Sequence, residues 1–186
     1  MYSKLLPAFF RHTDITKISD DGNPGAGNVF KHFGPSLGML CLLCDIFKGT
    51  LPVALCLHYL PLENPLFGLV LAAPVLGHAK KGKAIAVSFG VLIGLLPFSW
   101  MVLYLAIPFI FFSVILRVNP HAWRVIISFL CFLAATLLRV PFPALWIGAV
   151  LITLTVDAKH LIYLRSTHEK LRMDFGWDFH KLRRER

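Results

Sequence analysis

The chain has 186 residues, of which 56% are hydrophobic and only 16% are charged, and its formal net charge is +9. Soluble domains carry about a quarter charged residues, so this composition argues against a water-soluble protein. Nucleic-acid-binding proteins are polar as well as basic, whereas the basic residues here alternate with long apolar runs. The sequence therefore predicts an integral membrane protein that contacts membrane lipid and binds no nucleic acid.

Six apolar segments follow a polar stretch of about thirty residues, and each is a candidate transmembrane helix. A helix needs about 20 apolar residues to cross the hydrocarbon core, and somewhat fewer where it is re-entrant. We therefore predict an all-α, polytopic membrane helical bundle with about six transmembrane helices. Their approximate bounds are 35–60, 64–78, two helices within 83–117 divided around 97–99, 122–138 and 143–156.

The segment that follows the last predicted span is polar and basic. We divide the chain into a single membrane domain over residues 1–160 and a basic cytoplasmic tail over residues 161–186. The tail alternates apolar and basic residues, which favours an interfacial helix on an anionic membrane surface. A solvated end is an equally good interpretation of its last ten residues.

The positions of the positive residues support this topology. With both ends of the chain in the cytoplasm, 17 of the 19 Lys and Arg residues lie on the cytoplasmic side, while Arg139 lies outside and Lys48 lies within the first span. Such an asymmetry is what the positive-inside rule requires. The loops that carry the glycine-rich sequences described next are then expected to be cytoplasmic.

Two glycine-containing loops are candidate anion sites. Residues 21–28 read D-G-N-P-G-A-G-N and are followed by Lys31, and residues 80–83 read K-K-G-K. Turns rich in glycine can direct several backbone N–H groups at one anion, and a helix amino terminus adds a positive dipole end. Taken singly, each loop is more simply a turn or a topology-setting cluster. Their predicted location on the same face favours one shared site.

Ionisable residues within the apolar segments are further candidates. Asp45 and Lys48 are three residues apart in the first span and therefore lie on one helical face. They are either a functional pair or a structural ion pair. His78 and His160 lie at predicted membrane boundaries, where a histidine is more often interfacial than catalytic. No metal-ligand cluster is visible, and we expect no metal and no cofactor.

The order of these motifs resembles the bacterial acyl-phosphate-dependent glycerol-3-phosphate acyltransferases of the PlsY family. That family carries S-G-N-P-G-A-T-N before a membrane helix containing D-x-x-K-G, and then L-G-H and a glycine-lysine motif. The corresponding residues here are 21–28, Asp45 with Lys48 and Gly49, residues 76–78, and Gly82 with Lys83. The first two elements together are specific, and the resemblance covers residues 21 to about 90.

The resemblance implies an enzyme of the bacterial cytoplasmic (inner) membrane that transfers a fatty acyl group from acyl phosphate to glycerol 3-phosphate, forming lysophosphatidate. It implies catalytic roles for three residues: Asn28, Lys83 and His160. It implies that phosphate or substrate is bound by Gly22, Asn23, Gly25, Ala26, Lys31, Gly82 and His78. Asp45 and Lys48 would support the site.

Several positions differ from the family pattern. Asp21 replaces a serine, Gly27 a threonine and Lys31 an arginine, while Ala84 stands where the family has glycine and Tyr163 where it has asparagine. An ionised aspartate donates no hydrogen bond and repels phosphate. The alternative hypothesis is therefore a catalytically degenerate membrane relative that acts as a lipid-binding or partner subunit.

Overall fold

The computed structural model describes residues 1–19 and 21–175, and these residues form a helical bundle. Its helices are α1 (Tyr2–Arg11), α2 (Ile15–Ile18), α3 (Ala26–Phe33), α4 (Pro35–Cys56), α5 (Leu66–Ala79), α6 (Ile85–Ile93), α7 (Met101–Ile110), α8 (His121–Arg139) and α9 (Pro143–Thr167). A π-helical turn over Phe111–Ile115 extends α7. The strands are β1 (Leu116–Asn119) and β2 (Arg172–Phe175).

The six predicted apolar helices are confirmed as α4 to α9. By length and composition alone, α4, α8 and α9 can each cross a membrane, whereas α5 and α7 with its π-helical extension are shorter apolar helices. The division of the third and fourth helices near residues 97–99 is also confirmed, because α6 and α7 are separated by a turn there. The chain is an integral membrane protein with an all-helical membrane core.

Glycines hold α4 and α6 close together. A Cβ atom at Gly49 would lie 2.6 Å from the carbonyl oxygen of Val87, and a Cβ atom at Gly90 would overlap the carbonyl of Ile46. The Thr50 hydroxyl donates a hydrogen bond of 2.9 Å to the Gly90 carbonyl across the same interface. Small residues are the usual means by which membrane helices approach each other, because lipid provides no hydrophobic drive for association.

The amino-terminal segment is more ordered than predicted. No helix was predicted within the polar first thirty residues, but they include α1, α2 and the start of α3. The helix α1 packs against α4 through its buried residues Ser3 and Pro7. Its Leu5 and Phe9 side chains are exposed, so α1 is amphipathic. A ten-residue amphipathic helix is shorter than the roughly 20 apolar residues that identify a transmembrane helix, so hydropathy did not predict it.

The predictions for the carboxyl-terminal segment were wrong in two respects. Helix α9 extends to Thr167 rather than ending near residue 156, because its polar residues Asp157 and His160 are buried against the bundle. The expected interfacial helix is also absent over residues 172–175, where β2 pairs antiparallel with β1. Residues 176–186 of the predicted tail lie outside the described part of the chain.

The α4–α6 interface generates the first prediction. Gly90→Ala should lower the free energy of unfolding by about 1–3 kcal/mol, because the added methyl group overlaps backbone that cannot move without separating the helices. Gly77→Ala is the matched control, since Gly77 is also helical and a Cβ there meets nothing within 4 Å. Reversible unfolding in mixed detergent micelles measures both. Equal effects at the two positions would show that α4 and α6 are not in close contact.

Candidate active site

The first glycine-containing loop is organised by one carboxylate. Asp21 Oδ1 accepts hydrogen bonds from the backbone N–H of Asn23 at 3.1 Å and from Asn28 Nδ2 at 2.9 Å. Asn28 Nδ2 also donates to the Asn23 carbonyl at 2.7 Å, which ties the first turn of α3 to the loop. Gly22 has a φ of 62°, a left-handed conformation that glycine adopts without strain. The predicted turn is present, and an aspartate closes it.

Lys83 brings the second loop to the first. Its Nζ lies 2.7 Å from Asp21 Oδ2, so residues 62 positions apart form an ion pair. The same Nζ lies 4.0 Å from the centroid of the Tyr163 ring on α9, which is cation–π geometry. The two loops predicted to share a face are therefore in direct contact, and α9 completes their junction.

Asp21 remains ionised in this setting. Burial alone would raise its pKa, but hydrogen bonds from Lys83, Asn28 and the Asn23 N–H stabilise the charged form and hold the pKa below its usual value. At neutral pH the loop therefore carries a fixed negative charge at its centre.

A cavity of about 510 Å³ lies next to this junction. One end of the cavity is polar and includes Asp21, Asn28 and Lys83. The apolar side chains of the remaining lining come from α4, α6 and α7, namely Leu42, Ile46, Ile85, Ala86, Phe89 and Phe109, and Asp45, His78 and His121 also line the cavity. A site with a charged end and an apolar body suits an amphiphilic ligand.

The structure brings together most, but not all, of the predicted site residues. Seven of them line the cavity: Asn23, Gly25, Ala26, Asn28, Asp45, His78 and Lys83. Of the others, Gly22 provides the turn, and Gly82 packs against Met1 and the His78 imidazole. Lys31 is exposed in the last turn of α3. Lys48 pairs with the lining residue Asp45, and His160 contacts the lining residue His121.

Asp45 is the centre of a second polar cluster. It is 1% exposed, pairs with Lys48 and accepts a 2.7 Å hydrogen bond from the Ser3 hydroxyl. The Tyr2 N–H lies 3.4 Å from its other oxygen, and His78 Nδ1 lies 4.0 Å away. The predicted Asp45–Lys48 pair is therefore present, and α1 supplies the remaining partners of the carboxylate.

Two histidines meet beside the cavity. The ring centroids of His121, which lines the cavity, and His160 are 6.1 Å apart. His160 Nδ1 lies 2.8 Å from the Val156 carbonyl, which can only accept, so Nδ1 carries the proton and the buried Nε2 is an acceptor. His121 Nδ1 lies 2.7 Å from Arg124 Nη2, which can only donate, so its Nε2 carries the proton in the neutral ring.

Sequence reasoning missed four residues of this region as site members. Asp21 was recognised only as a departure from the family pattern, and Tyr163 only as a replaced asparagine. His121 and Ser3 had no local signal, because a histidine after a proline and a serine near the start of the chain are ordinary. Only the tertiary contacts of α1 and α8 identify them. Among residues 1–19 and 21–175, no three His, Cys, Asp or Glu side chains are grouped as metal ligands.

Residues 1–168 match the family described as "Glycerol-3-phosphate acyltransferase". A protein of that name from Hydrogenobaculum sp. (strain Y04AAS1) is 33% identical over 60% of this chain and 60% of its own length. "Glycerol-3-phosphate acyltransferase 2" of Lactobacillus johnsonii is 30% identical over 95% of this chain and 84% of its own length. The chain thus matches less than two thirds of the first relative and most of the second.

A solved structure has the same fold. The crystal structure of PlsY (YgiH), described as an integral membrane glycerol 3-phosphate acyltransferase in its glycerol 3-phosphate form, superimposes with a TM-score of 0.76. The match covers 90% of this chain and 84% of that chain at 19% sequence identity. At this identity the likeness concerns the fold alone.

The Asp45 cluster generates the second prediction. Lys48→Ala should destabilise the protein by about 2–4 kcal/mol, because it leaves a buried carboxylate without its cation. The double variant Asp45→Ala/Lys48→Ala should be less destabilised than the sum of the two single variants, with a coupling of about 0.5–3 kcal/mol. Unfolding in mixed micelles gives all three values. Strict additivity would show that the two charges do not interact.

Proposed function

The chain belongs to the glycerol-3-phosphate acyltransferase family, and we propose that it transfers a fatty acyl group from acyl phosphate to glycerol 3-phosphate. The 1-hydroxyl oxygen of glycerol 3-phosphate attacks the acyl carbonyl carbon, and the bond from that carbon to the phosphate oxygen breaks. The hydroxyl proton passes to the departing phosphate. The products are lysophosphatidate and inorganic phosphate.

The observation that carries this proposal is the division of one cavity into a charged end and an apolar body. Lys83 and the loop backbone offer donors to a phosphate at one end, while Phe89, Phe109 and their neighbours offer an apolar surface to an acyl chain. Both substrates contain phosphate, and the acyl phosphate donor also has a fatty acyl chain. The cavity therefore suits these two substrates. An enzyme that transfers phosphate between water-soluble substrates would not need this apolar surface.

We assign the chemical roles by position in the cavity. Lys83 stabilises phosphate charge, because its ammonium lies at the polar end. Asn28 orients substrate through its side-chain amide. The protonated Nε2 of His121 is a suitable donor to a developing oxyanion, and His160 lies behind it with an acceptor nitrogen. No side chain is required as general base when the leaving phosphate accepts the proton.

The remaining predicted residues shape the site. The backbone of Gly22, Asn23, Gly25 and Ala26 forms the phosphate-facing wall of the loop, with Lys31 adding positive charge nearby. Gly82 and His78 form the rim on the side of the second loop. Asp45 and Lys48 brace α4 behind His78, where the imidazole lies 4.0 Å from the carboxylate.

We further propose that the site faces the cytoplasm of a bacterial inner membrane. The excess of Lys and Arg on the side that carries both glycine-containing loops supports this orientation. The acyl chain then enters from the lipid while the water-soluble acceptor arrives from the cytoplasm. The division into a membrane domain over 1–160 and a cytoplasmic tail over 161–186 belongs to the same proposal.

The test of the proposed function is turnover by the purified protein. Lysophosphatidate and inorganic phosphate should form when both acyl phosphate and glycerol 3-phosphate are supplied. Lys83→Ala should weaken the use of phosphate-bearing substrate by about 1.5–3 kcal/mol, roughly 10- to 150-fold in KM, the worth of a hydrogen bond to a charged group. Initial rates at varied substrate measure this change.

Lys80→Ala is the matched control for Lys83→Ala. Lys80 lies in the same basic loop but does not line the cavity with Lys83, so its removal should change KM less than about twofold. Equal effects of the two substitutions would indicate a diffuse basic surface instead of a defined phosphate site. Absence of product from the wild-type protein would refute the proposed activity.

The proposed orientation is tested by labelling single cysteines in a cysteine-free background. Glu63→Cys lies in the loop between α4 and α5, and Lys80→Cys lies at the opposite end of α5. In intact cells a membrane-impermeant thiol reagent should label the cysteine at position 63 and leave the one at position 80 protected until the cells are opened. The reverse pattern would invert the proposed topology.

A further inference from the structure

The phosphate-binding donors of the candidate site already hold an anion that belongs to the chain. Asp21 receives hydrogen bonds from Lys83 Nζ, Asn28 Nδ2 and the Asn23 N–H, at 2.7, 2.9 and 3.1 Å. We infer that Asp21 is a tethered competitor of substrate phosphate at Lys83, and that phosphate must displace its carboxylate in order to bind. This inference rests on the proposed function and specifies what sets substrate affinity at that site.

The three contacts converge on two oxygens in a partly enclosed position. The side chains of Lys83 and Asp21 are 18% and 20% exposed, so solvent screens the pair only in part. Because Asp21 Oδ2 lies 2.7 Å from Lys83 Nζ, a phosphate within about 4 Å of that ammonium would lie at most about 7 Å from the carboxylate, and two anions at this separation repel each other. Carboxylate and phosphate therefore compete for the same ammonium group.

Displacement should move the aspartate and leave the lysine in place. Lys83 is held on its other side by the Tyr163 ring, 4.0 Å from Nζ. Asp21 precedes Gly22, whose φ of 62° marks a backbone position with glycine's wide freedom of rotation. Lys83 therefore keeps its contact with Tyr163 on α9 when the carboxylate leaves. The Asp21 side chain is the one expected to move.

A purely structural role for Asp21 makes a different prediction. Asp21 Oδ1 closes the turn by accepting from Asn23 and Asn28, whereas Oδ2 holds Lys83. Asp21→Asn retains an amide oxygen for the two turn hydrogen bonds but removes the negative charge and the ion pair. This variant separates the two roles, because the turn persists while the competition is lost. Asp21→Glu keeps the charge and serves as the reciprocal variant.

The experiment measures KM and kcat of the full-length protein for wild type, Asp21→Asn, Asp21→Glu and the control Asp14→Asn. Asp14 pairs with Lys4 and caps α2, away from the cavity, so Asp14→Asn removes an equal charge without touching the site. Asp21→Asn should lower one KM by about three- to fivefold, the upper range for releasing a partly exposed ion pair. Its kcat should not fall, Asp21→Glu should show no such decrease in KM because it keeps the charge, and Asp14→Asn should leave KM near the wild-type value.

The two substrates are varied separately in order to identify the displaced phosphate. A lower KM for glycerol 3-phosphate at saturating acyl phosphate assigns the competition to the acceptor, and a lower KM for acyl phosphate assigns it to the donor. An unchanged or raised KM for both substrates in Asp21→Asn would overturn the inference while leaving the proposed function intact.

A binding measurement keeps the inference testable without turnover. Titration of glycerol 3-phosphate or inorganic phosphate into the detergent-solubilised protein should show tighter binding by Asp21→Asn than by wild type. If wild type makes no lysophosphatidate but this difference is found, the proposed activity fails and the inference about phosphate competition stands. If the affinities are equal, the inference is wrong whatever the activity.

Discussion

The ion pair between Lys83 and Asp21 joins the two glycine-containing loops of the candidate site. It connects the loop before α3 to the loop before α6, and the Tyr163 ring attaches the same ammonium to α9. Three segments far apart in the sequence thus meet at one nitrogen atom. The cavity begins at this junction, so its polar end has a fixed position relative to the apolar walls contributed by α4, α6 and α7.

The second polar cluster, around Asp45, also joins separate segments through a carboxylate, and this carboxylate is more deeply buried than that of Asp21. A carboxylate that is 1% exposed within a membrane helix is stable only with partners, and Asp45 has Lys48 and the Ser3 hydroxyl. Because Ser3 belongs to α1, the need to satisfy this carboxylate also fixes the amphipathic helix against α4. The buried Asp45 carboxylate therefore determines where α1 packs.

Periodicity and charge predicted the six apolar helices, because long hydrophobic runs report burial in lipid directly. They also predicted the Asp45–Lys48 pair, since a spacing of three places both on one helical face. They did not predict polar residues that are buried against other helices of the bundle instead of in lipid. Asp157 and His160 look like the start of a polar tail, yet both are buried and α9 continues through them. The contact of His121 with His160 depends on helix packing, which no local pattern encodes.

Three of the five positions that differ from the family pattern lie around one residue, Lys83. Asp21 pairs with Lys83, Tyr163 lies beneath its ammonium, and Ala84 follows it in the chain. Ala84 has a φ of 61°, a conformation that costs a non-glycine residue about 1–2 kcal/mol. The aspartate on one side and the aromatic ring on the other both favour the same ammonium position, so Asp21 and Tyr163 act together on one lysine.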